Sequence, residues 1–291
     1  MSRSSRGRSK TVAASASERL TAVESKHVAA ANAVASGEVH TVGGISLTTR
    51  DTSAAKNGKH GKSVLRPDHV EVRIDDVVVH RTPPAGARSL RYLLASEEMP
   101  TRLGVTSSLH GEGVTSISRS IAALIAFDWR VSTCWVDLNW WKADVPQHES
   151  MLFDTTIAQV VEGVANAADL AVPTSIPGLS MVAAGQVPTS SRARLSKSEA
   201  LSRIVADLSR QFDYVVFDLP PVLTSSDAVT LAGLVDAFLL VVRHRSTSSV
   251  QVRASLQTLA PTPCFGTVLN NARSHVPRWM RTSNEVWALG T

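Results

Sequence analysis

Three short stretches put residues fit for phosphate and metal chemistry at the ends of apolar runs. The first, TSSLHGEGVTSIS at 106–118, leaves an apolar run and opens a helical one, with Gly111 and Gly113 between them. Glycines let backbone N–H groups close on a phosphate, and the start of a helix adds the positive end of its dipole. Glu112 lies inside this loop, Thr115 sits where a hydroxyl holds Mg2+, and Ser116 follows it. A phosphate loop of the G-x-x-x-x-G-K-[ST] pattern carries lysine after its last glycine. Val114 stands there instead. The second stretch, TCWVDLN, ends a strand on Asp137, and the third, FDYVVFDLPP, ends one on Asp218 before two prolines. A carboxylate at the tip of a buried strand is costly unless something binds it. Mg2+ beside a phosphate is the usual partner.

These residues need elements to position them. Apolar runs at 103–107, 131–137, 179–184, 213–218, 236–242 and 265–270 predict strands. Helical spacing separates them at 113–126, 155–168, 196–211, 226–234 and 247–259. Strands rich in Val and Leu on both faces, each followed by a helix, specify an α/β fold with a mostly parallel central sheet covered on both sides. In such sheets ligands bind beyond the carboxyl ends of the strands. Before this region, 64–81 alternates apolar and polar residues and predicts short strands. TPPAG at 82–86 breaks the chain, and a helix is expected over 87–95.

Charge is divided unevenly along the 291 residues. Residues 1–62 hold ten Lys/Arg against four Asp/Glu, whereas the remainder is nearly balanced, at twenty against twenty-one. The expectation is a disordered basic tail over 1–62, with one weak helix at 18–35, then strands and a linker over 63–86. Such a tail can gather at an anionic membrane, at about 1 kcal/mol per basic residue; nucleic acid is the less favoured surface. No apolar run approaches the roughly 20 residues of a membrane helix. Cys134 and Cys264 read as buried thiols, which excludes a disulfide framework or cysteine metal site and points to a reduced, cytoplasmic setting. The C-terminal stretch 274–291 carries Trp279 and Trp287 as an extension beyond the main domain.

The region 85–273 resembles the cytoplasmic domain of bacterial tyrosine kinases that control polysaccharide chain length, within the Min- and Par-type P-loop ATPases. The resemblance rests on TSSLHGEGVTS, on DLNWW at 137–141, on FDYVVFDLPPVLTSSDA at 212–228, and on LVDAFLLVVR and TVLNN further on. It implies a three-layer P-loop NTPase-like domain over 87–273. Its nucleotide would meet Gly111, Glu112, Gly113, Thr115, Ser116, Arg243 and Asn270. Its metal would lie at Thr115 and Asp218, and residual catalysis would fall to Asp137 and Asp218. ARSLR at 87–91 resembles the family's self-association helix, which makes Arg88 and Arg91 interaction residues. Trp140 and Trp141 are adjacent aromatics that cannot both enter one core from regular structure, so partner contact is expected there.

The departures from the family pattern fall on its chemistry. Val114 replaces the loop lysine, Asn139 replaces the second acid of D-x-D, Trp141 replaces its arginine, and no tyrosine follows Tyr214. His110 replaces the loop proline, and Leu109 falls where relatives carry an additional signature lysine. Arg119 and His110 read as a solvated residue and a loop residue rather than substitutes for the missing charge. A lysine bonds phosphates at about 1.5–3 kcal/mol per charge-assisted contact. Binding of ATP or ADP with Mg2+ is therefore expected to be weak or absent. The reading is a catalytically impaired relative that regulates or scaffolds exopolysaccharide or cell-envelope polymer assembly. It would work in the cytoplasm or peripherally at the inner membrane face, through self-association or a membrane-embedded polysaccharide co-polymerase. The alternatives are an active kinase or ATPase with a noncanonical site, and a Par- or Min-like positioning protein whose tail binds DNA or membrane.

Overall fold

A computed structural model of the chain describes residues 45–46, 70–74, 77–82, 84–95, 99–140 and 152–272. Trp141, the expected helix at 18–35 and the extension at 274–291 lie outside them. The centre is an eight-stranded sheet. Its strands are β1 (Ile45–Ser46), β4 (Arg102–Ser107), β5 (Thr133–Asp137), β6 (Val172–Pro173), β7 (Leu179–Val182), β8 (Tyr214–Asp218), β9 (Ala237–Arg243) and β10 (Cys264–Asn270). They run in the order β1-β10-β9-β4-β8-β5-β7-β6. Every neighbouring pair is parallel except β6 with β7. The fold is the expected three-layer, P-loop NTPase-like arrangement.

The apolar runs form this sheet because both of its faces are covered. Side chains alternate across a strand, and the core divides accordingly. Phe217, Phe238, Leu240 and Val242 enter one apolar cluster, whereas Val216, Leu239 and Val241 enter the other. The first cluster is closed by α5 (Glu199–Gln211), through Leu201, Ile204, Val205 and Leu208. The second is closed by α1 (Pro84–Leu94) and α2 (Val114–Leu124), through Leu90, Ile117 and Ile121. The remaining helices are α3 (Ile157–Val161), α4 (Thr189–Ser196), α6 (Ala228–Ala232) and α7 (Ser249–Thr258).

Several elements differ from expectation. Ile45–Ser46 lies in the stretch expected to be unstructured, yet pairs with Val268 and Leu269 as an edge strand. Two residues are too few for periodicity to register. The helix expected from 87 begins at Pro84, because proline is accommodated at the first helical position. The helix expected at 196–211 is α5, which starts at Glu199 because Ser198 caps it by accepting from the Leu201 N–H, and α4 is an additional helix before it. The helix expected at 155–168 is only α3, followed by a single 3-10 turn at Ala167–Asp169. Cys134 is buried, but Cys264 is only partly so; burial pushes both thiols up, that of Cys264 to about 12.

The alternating stretch at 64–81 forms a hairpin of β2 (Val70–Ile74) and β3 (Val77–Thr82), separate from the main sheet. Val70, Val72, Ile74 and Val79 pack into the cluster that holds α2. Polar contacts fasten the same seam. His80 Nε2 is 2.8 Å from Ser120 Oγ, and Thr82 Oγ1 donates to that oxygen at 3.2 Å. Arg119 is a second correction, because it is not solvated. Its Nη1 donates to the Val79 carbonyl at 2.8 Å, and its guanidinium lies 4.5 Å from the centre of the Trp135 ring.

Burial, with the nearby Arg119 guanidinium, pushes the His80 pKa down to about 4 from 6.5. The unfolded chain therefore binds a proton that the native seam rejects. Stability should be full above pH 6.5 and fall as the pH drops to about 4, by up to about 3 kcal/mol from this group. Urea midpoints across that range, compared with a His80→Asn variant, check this; the variant should lose that part of the slope.

Candidate functional site

Five neighbouring parallel strands end on the same edge of the sheet, and each delivers one of the residues singled out above. In spatial order, β10 brings Asn270, β9 Arg243, β4 the glycine loop, β8 Asp218 and β5 Asp137. This is where the topology of a parallel sheet places a ligand.

The loop after β4 is shaped by what happens to its carbonyl groups. Ser107 O and Ser108 O accept from the Val222 and Leu223 N–H groups at 2.8 and 3.1 Å. Leu109 O accepts from Ser107 Oγ at 2.8 Å, Gly111 O from Arg243 Nη1 at 3.1 Å, and Glu112 O from Asn270 Nδ2 at 2.8 Å. The Gly113 carbonyl accepts from the Ile117 N–H at 3.1 Å. Carbonyl oxygens held by the protein cannot face a phosphate. These six carbonyls are thus engaged within the protein, as a loop that receives an anion requires.

Gly113 is indispensable to that form. Its φ of +97° lies in the left-handed region, and an added Cβ would come within 2.1 Å of Asn270 Nδ2. Arg243 and Asn270, expected on the nucleotide, thus both brace the loop from behind. Glu112 is a correction of the same kind. Its side chain is only 2% exposed. It accepts from the Leu109 N–H at 3.0 Å and pairs with the Thr247 hydroxyl. Burial pushes its pKa up, against the pull of the backbone N–H groups around it. Thr247 escaped the sequence reading because only the fold brings it to the loop.

Beyond the loop, Asp137 and Asp218 are register partners on β5 and β8, both buried. Asp137 Oδ1 accepts from the Asn139 N–H at 2.8 Å, and Asp218 Oδ1 accepts from Asn139 Nδ2 at 3.4 Å. Asn139 Oδ1 is buried with no hydrogen-bond partner. It is thus a hard oxygen available to a hydrated cation. Val114 is 7% exposed and belongs to the apolar cluster that includes Ile117 and the β2–β3 hairpin. Thr115 is partly buried, and Ser116 and His110 are exposed at the rim. Among the described residues no group of three or more His, Cys, Asp or Glu assembles a metal centre, and no helix is long and apolar enough to cross a membrane.

The expected interaction residues are dispersed. Arg88 is exposed on α1, but Arg91 is turned inward. Its Nε donates to Asp128 Oδ2 at 2.6 Å, and the carboxylate is 3% exposed. Trp140 is also not a partner surface. It is 4% exposed in the core, with its Nε1 donating to Asp227 at 3.4 Å.

No protein-family profile matches the chain. Sequence comparison gives tyrosine-protein kinase CpsD of Streptococcus agalactiae, 28% identical over 144 residues, which span 48% of this chain and 60% of that protein. It also gives tyrosine-protein kinase wzc of Salmonella typhi, 30% identical over 100 residues, spanning 34% and 14%. The kinase domain of VpsO superposes with a TM-score of 0.56 at 27% identity, covering 63% of this chain and 91% of that domain. This chain is a relative of the bacterial tyrosine kinases. The kinase domain of Escherichia coli ETK shares the fold, with a TM-score of 0.60 at 19% identity over 80% of this chain and 91% of that one. The matched segment spans under two thirds of the length of the streptococcal relative.

The geometry predicts a steep penalty at Gly113. Gly113→Ala combines left-handed strain with a clash against the Asn270 side-chain amide, which must give up its bond to the Glu112 carbonyl, and should cost about 2–4 kcal/mol. Gly111→Ala, at φ +78° but with nothing within 4 Å, should cost only the strain, about 1–2 kcal/mol. Chemical denaturation of the two variants checks the order.

Proposed function

We propose that this protein is a catalytically impaired relative of the bacterial tyrosine kinases, one that keeps the phosphate loop's shape without its charge. It acts as a regulatory or scaffolding component in the assembly of an exopolysaccharide or cell-envelope polymer. Its partners on this reading are a membrane-embedded co-polymerase or other copies of itself. The likeness to tyrosine kinases named above supports the setting. One observation supports the loss of chemistry: the residue two after Asp137 offers Asp218 Oδ1 a neutral amide at 3.4 Å where the family pattern has a second acid.

The two departures compensate for each other. A lysine at 114 and a carboxylate at 139 would together add one positive and one negative charge to a buried cluster. This chain lacks both, so the local balance is preserved while the charges that work on a phosphate are gone. Phosphoryl transfer depends on positioning and charge neutralisation, with little covalent chemistry from the protein. Val114 turns into the apolar cluster and offers the phosphates nothing. The backbone amides, the Thr115 hydroxyl and Asn139 Oδ1 would still fit a nucleotide phosphate with hydrated Mg2+, which would supply charge neutralisation when bound. Retention of the cradle is consistent with weak binding, and its electrostatics with negligible transfer.

Titration with ADP and ATP at physiological Mg2+ tests this. The native chain should bind weakly and turn over no ATP. The double variant Val114→Lys/Asn139→Asp should bind at least about tenfold more tightly, the equivalent of one charge-assisted contact. ATP turnover or tyrosine phosphorylation by the native chain at a relative's rate, abolished by Asp218→Ala, would refute the proposal and establish an active kinase with a noncanonical site.

A further inference from the structure

We propose that Glu112 is the positioning residue of the glycine loop. Its carboxylate is a built-in anion that holds residues 108–113 in the phosphate-cradling shape before any ligand arrives.

Two donors from different parts of the chain converge on this one buried side chain. Oε2 accepts from the Leu109 N–H at 3.0 Å, and Oε1 pairs with Thr247 Oγ1. The Leu109 contact closes the loop upon itself across three residues. The Thr247 contact anchors it to the turn between β9 and α7. Thr247 Oγ1 also accepts from the Arg243 N–H at 3.3 Å, so the hydroxyl is oriented to donate to the carboxylate. Arg243 and Asn270 then hold the carbonyls on either side of Glu112, as described above.

Burying a carboxylate is costly unless its oxygens are satisfied. Here each oxygen has a donor, one a backbone N–H of the loop itself and the other the Thr247 hydroxyl. The charge serves geometry: at 2% exposure it has no access to a ligand in the cradle. A flexible glycine pair would otherwise sample many conformations, and the carboxylate selects one. The contact to Thr247 ties the loop to a distant turn whatever residue stands at position 114. The inference concerns loop shape, and stands apart from whether the loop binds nucleotide.

Amide hydrogen exchange on the full chain, without ligand, tests it. Glu112→Ala should speed exchange at Leu109 by about tenfold or more, while strands β4 and β8 remain protected. Glu112→Gln, which keeps an acceptor oxygen, should recover most of that protection, within about threefold of native. In the Val114→Lys/Asn139→Asp background, Glu112→Ala should weaken ADP binding by about tenfold and Glu112→Gln by much less. Unchanged exchange at Leu109 in Glu112→Ala overturns the proposal. So does an equal rise throughout the sheet, which would make Glu112 an ordinary core residue. If the double variant fails to bind ADP, the functional reading fails, and the exchange data still decide the role of Glu112.

Discussion

The glycine loop keeps its shape because its carbonyl groups are held away from the cradle by fixed donors. Those donors come from the residues after β8, from the end of β9, from the end of β10 and from the loop itself. No single element could provide them. The parallel sheet sets the strand ends side by side, and the buried apolar runs hold the sheet in register. The site is thus a consequence of strand order, and its rigidity comes from the hydrophobic clusters on both faces.

The helix that begins at the loop is held with equal care on its outer side. The β2–β3 hairpin covers α2 with valine and isoleucine side chains, and fastens it through His80, Thr82 and Arg119. Val114 extends the same apolar surface to the first turn of α2. Val114 thereby joins the packing that orients the loop. On the other side Asn139 donates to Asp218. Main-chain groups shape such a loop, whereas side chains decide what charge it offers a phosphate.

Much of the fold was legible because buried parallel strands read as continuous apolar runs. The short pieces were not. β1 and β6 are two residues each and exist only because a neighbouring strand offers free hydrogen-bonding groups. The hairpin strands alternate as expected, but alternation does not say which surface they cover. Side-chain direction was the least legible feature. Glu112, Arg91, Arg119 and Trp140 were each read as facing a ligand, a partner or water, and each is occupied within the chain. Their partners lie from 3 to 135 positions away in sequence, and a linear pattern does not record those meetings.

By itself the sequence determined the class of fold, the place of the glycine loop between a strand and a helix, and the absence of a lysine from it. These follow from local composition and period, which act over a few residues. Tertiary structure alone decided that Val114 packs into the core, that Asn139 donates to Asp218, and that the Glu112 side chain turns to Leu109 and Thr247. Those outcomes depend on desolvation and on donors brought from distant strands, forces that have no direction until the chain has folded.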